Sequence, residues 1–371
     1  MKKDLKYWIG FNLVTGIGPV RLRALLDTFQ DVRSAWMAPP SQLKAAGLGE
    51  RLVQRLEDIR RTTDLDQELA DIRQQGFDVL TWADDHYPES LQDIPQSPPV
   101  LYLRGELSDQ DGDGVGIVGT RRFTSYGRQV AEEVARFLVR QGFTVISGLA
   151  RGIDGIAHRA ALQGGGRTIA VLGSGVDHIY PPEHRELARE IAHSGCVLSD
   201  YPLGTPPEGQ NFPPRNRIIS GLSRAVVVIE AGQRSGALIT AKYAGDQGRE
   251  VFAVPGPIYA PQSKGTNMLL KEGAHPILQP EDILDVLRLT GQGSARMMQR
   301  ELPANQAEAD IYGALDLEPL HVNEISARVN MPVEQVTSTL AVMELKGLVR
   351  KTAGMEYRAV HEKPPRANYD V

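Results

Sequence analysis

Residues 115–147, VGIVGTRRFTSYGRQVAEEVARFLVRQGFTVIS, hold a complete strand, helix and strand. VGIV at 115–118 is short and apolar throughout, as a strand covered on both faces must be. Val130, Val134 and Leu138 then recur at fourfold spacing, which predicts one buried helix face, and Gly142 supplies its stop. FTVIS at 143–147 restarts the strand pattern. Similar runs stand at 168–172 (TIAVL), 196–199 (CVLS), 225–229 (AVVVI) and 250–254 (EVFAV), with helical segments between them. Such alternation predicts an α/β fold, a doubly wound and mostly parallel sheet.

In that architecture ligands sit beyond the carboxyl ends of the strands, so the residues following each run carry the functional information. The first run leads to GTRR (119–122), the second to GLARGIDG (148–155), the third to GSG (173–175) and the fourth to DYPLGTPPEGQNFPPRNRIISG (200–221). EAGQRSGALITA (230–241) follows the fifth and PGPI (255–258) the sixth. Glycine loops and helix starts at one sheet edge suit an anion. Arg121, Arg122, Arg151, Arg215, Arg217 and Arg234 lie on the same loops, with Ser174, Ser235 and Gly236 beside them. Arg215, Asn216 and Arg217 offer fork-like donors that match phosphate oxygens. Asp154 is placed to cap the next helix. GVGIVG (114–119) has dinucleotide-fingerprint spacing but the wrong context, because that fingerprint must follow a strand.

The flanks differ in texture. Residues 1–80 read helical and contain GIGPVRLRALL (16–26) with a fainter echo, GLGERLVQRL (47–56), the outline of a helix-hairpin-helix. Pro98 and Pro99 precede VLYLRG, which reads as an edge strand. After a polar bridge, three helical patterns and the hairpin-like VRKTAGMEYRAV predict a winged helix. This unit carries 5 Lys+Arg against 8 Asp+Glu between 303 and 360, and its would-be recognition helix offers only Lys346. Protein contact or packing fits it better than base readout. The expected organisation is a helical SAM-like or helix-hairpin-helix domain (1–80), the Rossmann-like domain (81–290), a linker (291–304), the winged helix (305–362) and a tail (363–371).

Composition narrows the function classes. A net charge of −5 gives no support to general polyanion binding, so any such function needs a local cluster. One cysteine, Cys196, excludes an internal disulfide and fits a reducing cytoplasm. No signal peptide or membrane span is expected, and the histidines lack metal spacing. Asp154 and Glu230 are possible acid–base groups for a nucleotide hydrolase, although a cap and a strand-end carboxylate explain them as well.

GIVGTR, ISGLARGIDGIAH, GGRTIAVLGSGVDHIYPPEH, FPPRNRIISGLSRAVVVIEAGQRSGALITA, FAVPGPI and KGTNMLLKEGA together resemble the DNA-processing protein A (DprA, or Smf) family over roughly residues 80–287. The resemblance implies a non-enzymatic, dimeric protein without cofactor or metal. Such a protein binds single-stranded DNA with little sequence preference and loads a RecA-type recombinase during natural transformation. By matched motif, Gly119, Thr120, Arg121, Arg215, Asn216 and Arg217 contact DNA. Gly148, Arg151, Gly152, Gly173, Ser174 and Gly175 line the same pocket. Asn267, Met268 and Leu270 fall in the segment implied for dimerisation. Where many relatives have lysine, this chain has Pro182 and Gly209. Phe123, Tyr180, Tyr201 and Phe212 are the local aromatics for stacking. The alternative from another class is a phosphoribohydrolase-type enzyme on a related fold.

Overall fold

A computed structural model describes residues 4–289, 306–315, 319–345, 349–351 and 354–359. The expected linker 291–304, the tail 363–371 and Lys346 lie outside the described residues. The chain forms two compact units, 1–287 and 288–371.

The first unit is built on nine strands: β1 (Asp78–Thr81), β2 (Val100–Gly105), β3 (Gly114–Val118), β4 (Thr144–Ser147), β5 (Thr168–Val171), β6 (Cys196–Ser199), β7 (Ala225–Val228), β8 (Glu250–Ala253) and β9 (His275–Pro276). They pair in the order β1-β2-β6-β5-β4-β3-β7-β8-β9. From β6 to β9 every pairing is parallel, while β1 and β2 join antiparallel at one end. The six apolar runs of the sequence are β3 to β8. VLYLRG corrects the edge-strand expectation: β2 pairs with β6 on one side and with the short DVLT strand β1 on the other. Four residues at the end of a helical region carry too little pattern to announce such a strand.

Both faces of the sheet are covered, and the alternation along each strand explains how. Val115 and Ile117 of β3 pack with the helices Ser125–Arg140 and Ile153–Gln163. Val118, Ile146, Ile169 and Val171 face the opposite way, against Phe212–Gly221 and Ala237–Asp246. The chain moves outward from β3 through β4 and β5 to β6, then returns to the other side of β3 to form β7. Loops leaving β3 and β7 therefore part, and the crevice of a doubly wound sheet opens beside Gly119.

Six helices from Leu5 to Gln74 pack around Trp8, Phe11, Leu25, Trp36 and Leu56, and this core continues into Val79, Val100 and Tyr102 of the antiparallel strands. Gly18 and Gly49 each precede a helix, as the helix-hairpin-helix outline requires. In the second unit the helices Gln306–Ala314, Val322–Val329 and Val333–Leu345 enclose Ile311, Ile325, Val336, Leu340 and Met343. Strands β10 (Leu320–His321), β11 (Val349–Lys351) and β12 (Glu356–Ala359) complete a winged helix in the order β10-β12-β11. Among the described residues no helix is long and apolar enough to cross a membrane.

Candidate nucleic-acid interface

The crevice narrows to a cleft whose walls come from four loops: Arg121 after β3; Gly148, Ala150 and Arg151 after β4; Tyr180 and Pro181 after β5; and Phe212 and Arg215 after β6. Its geometry starts at the loop after β4. Gly152 has φ +85°, and a side chain there would strike the Thr120 carbonyl and the Arg121 backbone. This close approach seats the GTR turn on the β4 loop. The amide N–H of Thr120 donates to the Glu230 carbonyl at 2.7 Å, and that of Ile153 donates to the Thr120 carbonyl at 3.3 Å. Gly119 packs against Ile153.

Arg215 forms the floor. It is 5% exposed, and its Nη1 donates to the carbonyls of Gly148, at 2.9 Å, and Val171. Its Nε donates to Asn216 Oδ1 at 3.3 Å, and Nη2, which has no acceptor among the described residues, packs against Gly148, where a Cβ would meet it at 2.6 Å. Burial pushes the Arg215 pKa down to about 10, and the nearby Arg121 guanidinium pushes the same way. Asp154, also buried, offsets part of this charge without forming an ion pair. Burial raises its pKa while Arg215 lowers it. Asp154 corrects the capping expectation: Gly152 is the N-cap residue, and Asp154 accepts from the upstream amides of Gly148 (3.2 Å) and Ala150 (3.4 Å). Arg121 is exposed and forms no ion pair among the described residues. Beside it Tyr180 and Phe212 stand with ring centroids 5.8 Å apart, and the Arg215 guanidinium lies 5.9 Å from the Phe212 ring centre.

Several expected ligands are engaged elsewhere. Arg217 is buried, with Nη2 on Asp200 Oδ2 at 2.8 Å, Nε on the Gln96 carbonyl at 3.0 Å and Nη1 on the Pro214 carbonyl. The expectation of a free Arg217 fork is thereby corrected, since consecutive polar residues on a helix point in different directions. Asn216 donates to the Gly236 carbonyl, tying in the start of the helix Ala237–Asp246, where Ser235 caps Ala237. Ser174 is buried and donates to the His178 carbonyl, and the Gly175 amide donates to Thr205, so neither faces the cleft walls. Gly173 is the spot where Phe212 enters, because a Cβ would meet its ring at 2.8 Å. Arg122 is exposed outside the cleft walls, and its amide donates to the Thr120 hydroxyl. Arg151 is in the cleft but paired with Glu183. Phe123 packs on the helix Ser125–Arg140 core, and Tyr201 lines a separate depression beside Gly16 and Gly18. Pro181 and Glu183 escaped sequence reasoning; only the Tyr-Pro-Pro run at 180–182 hinted at a built loop there.

A doubly wound α/β protein with an arginine and aromatic cleft at its switch point, followed by a winged helix, is the class this chain defines. The sequence profile described as DNA recombination-mediator protein A matches residues 78–288, and that of the DprA winged helix domain matches 296–355. The protein Smf of Synechocystis sp. is 38% identical over 95% of this chain and 98% of its own. A crystal structure of DNA processing protein A from Streptococcus pneumoniae superposes with a TM-score of 0.68 at 34% identity, covering 76% of this chain and 97% of that one. DNA processing protein A from Helicobacter pylori, whose structure describes a single-stranded DNA binding mode, gives 0.52 at 31% identity over 58% and 96%. The chain belongs to the DprA/Smf family of DNA-processing proteins.

Proposed function

We propose that the cleft binds the phosphodiester backbone of single-stranded DNA, and that the protein is a non-enzymatic mediator that passes the strand to a RecA-type recombinase in the cytoplasm. The convergence of Arg121 and Arg215 on one cleft beside the Tyr180–Phe212 shelf carries this reading. Asp154 offsets only part of these two like charges, which leaves the cleft suited to an anion, and the flanking rings suit unpaired bases of any sequence. The H. pylori relative supports the choice of ligand. A hydrolase would need Asp154 or Glu230 available for proton transfer. Asp154 is bound to two backbone amides, and Glu230 accepts from the Thr124 amide (2.9 Å) and hydroxyl (2.6 Å).

The test is a salt titration of oligonucleotide binding. Arg121→Ala is expected to weaken binding roughly three- to tenfold at low salt and to flatten the log–log salt slope by about 0.7, one phosphate's worth for a single strand. An unaltered slope in a folded variant rejects the assignment.

Homodimerisation through the surface around helix Lys264–Lys271 belongs to the same proposal. Met268 is exposed there, and Leu270 is half-buried. Asn267, however, binds both the amide and the carbonyl of Gly256, so its side chain holds the PGPI turn. Ile258 ends that turn and Tyr259 follows it, 71% and 89% exposed. Met268, Ile258 and Tyr259 are the contact residues we favour.

A further inference from the structure

The ion pair at the lip of the cleft has a role beyond holding two loops together. Arg151 meets Glu183 side-on: Nε donates to Oε1 and Nη2 to Oε2, the latter at 3.1 Å. This two-point grip is the one an arginine uses on phosphate. Arg151 holds Glu183 near a pKa of about 2, so the carboxylate is fully ionised at neutral pH.

Glu183 is presented by a rigid element. It sits in the turn Pro182–His184, directly after the cleft residues Tyr180 and Pro181. His184 in the same turn is buried, and its Nδ1 donates to the Leu149 carbonyl at 2.8 Å. Yet the ion pair itself is open to water, with the two side chains 54% and 50% exposed. An exposed pair is screened and exchanges readily.

Taking the DNA reading above as its basis, we infer that Glu183 is a built-in anion that competes with a DNA phosphate for Arg151 and so sets the affinity of the cleft. A strand entering the cleft meets Arg121 and Arg215 directly. It engages Arg151 only when Glu183 releases it. Glu183 also lines an adjoining depression with Arg159, Glu186 and Glu190, where Arg159 is the cation available to the released carboxylate.

The experiment is fluorescence anisotropy of a labelled oligo(dT) with the full chain at two salt concentrations. Glu183→Gln is expected to tighten binding about three- to tenfold at low salt, because Arg151 then meets phosphate without a competitor. Glu186→Gln removes the same charge from a residue paired with Arg189, and is expected to change affinity less than twofold. In an Arg151→Ala background the Glu183→Gln gain is expected to vanish. Equal gains for the two glutamine variants, or a gain that persists without Arg151, overturn the inference by reducing it to general charge. Should Arg121→Ala weaken binding while Glu183→Gln and Arg151→Ala change nothing, the competition is refuted and the DNA cleft stands. Indifference to all three substitutions removes the cleft reading itself.

Discussion

Arg215 and Arg217 are two residues apart in one motif and do different work. Arg215 packs under Gly148 in the lining of the cleft, while Arg217 joins Asp200 to the connector carbonyl of Gln96. The Arg217–Asp200 pair is largely buried, with side-chain exposures of 8% and 16%. Removing one member leaves a charge without its partner in a poorly solvated place. Arg217→Ala is therefore expected to lose about 3 kcal/mol of stability in urea denaturation. Its salt slope for DNA should match the unsubstituted protein. A loss of slope without loss of stability would return Arg217 to the DNA contacts.

At the level of elements, the helix Ile153–Gln163 meets β5 through a buried histidine. Thr168 donates its hydroxyl to the Val145 carbonyl at 2.7 Å, so it can only accept from His158 Nδ1, also at 2.7 Å. His158 thus carries its proton on Nδ1, and Nε2 is buried without a partner. Burial pushes its pKa down to about 3, and His184, Arg159 and Arg215 act in the same direction. In the unfolded chain the ring takes a proton near pH 6.5, so between about 6.5 and 3 the unfolded state holds one proton more than the folded. Stability must fall as pH drops through that window, by up to about 1.4 kcal/mol per pH unit from this group. His158→Gln should remove that component of the slope. Thermal melts at pH 7.5 and 5.5 check this, and an identical pH loss in both proteins would refute it.

Across the whole molecule, a net charge of −5 coexists with a cleft that three arginines line, Arg121, Arg151 and Arg215. Glu183 pairs with Arg151 at the cleft, Glu186 and Glu190 line an adjoining depression, and the buried Asp154 offsets part of the Arg215 charge. DNA association should therefore be local and steeply salt-dependent, without general polyanion affinity. The exposed apolar set Met268, Ile258 and Tyr259 has a different consequence. If it is the dimer contact, Met268→Asp should shift the protein from dimer to monomer in light scattering behind size exclusion. DNA binding by each monomer cleft should survive, at reduced avidity. A dimer unaffected by this substitution would place the interface elsewhere.

The alternation of apolar runs and helical periods was enough to derive the parallel sheet, its six central strands and the edge at which glycine loops gather. Those patterns are local, repeating every two or four residues, and they survive in a single reading of the chain. The role of each arginine was not derivable that way. Arg151 is held by a carboxylate 32 residues on, Arg217 by one 17 residues back, and Arg215 by a carbonyl 67 residues back. Strand β1 likewise became visible only through its pairing with β2. Composition sets how many charges exist, but only the folded packing of distant loops decides which of them remain available to a ligand.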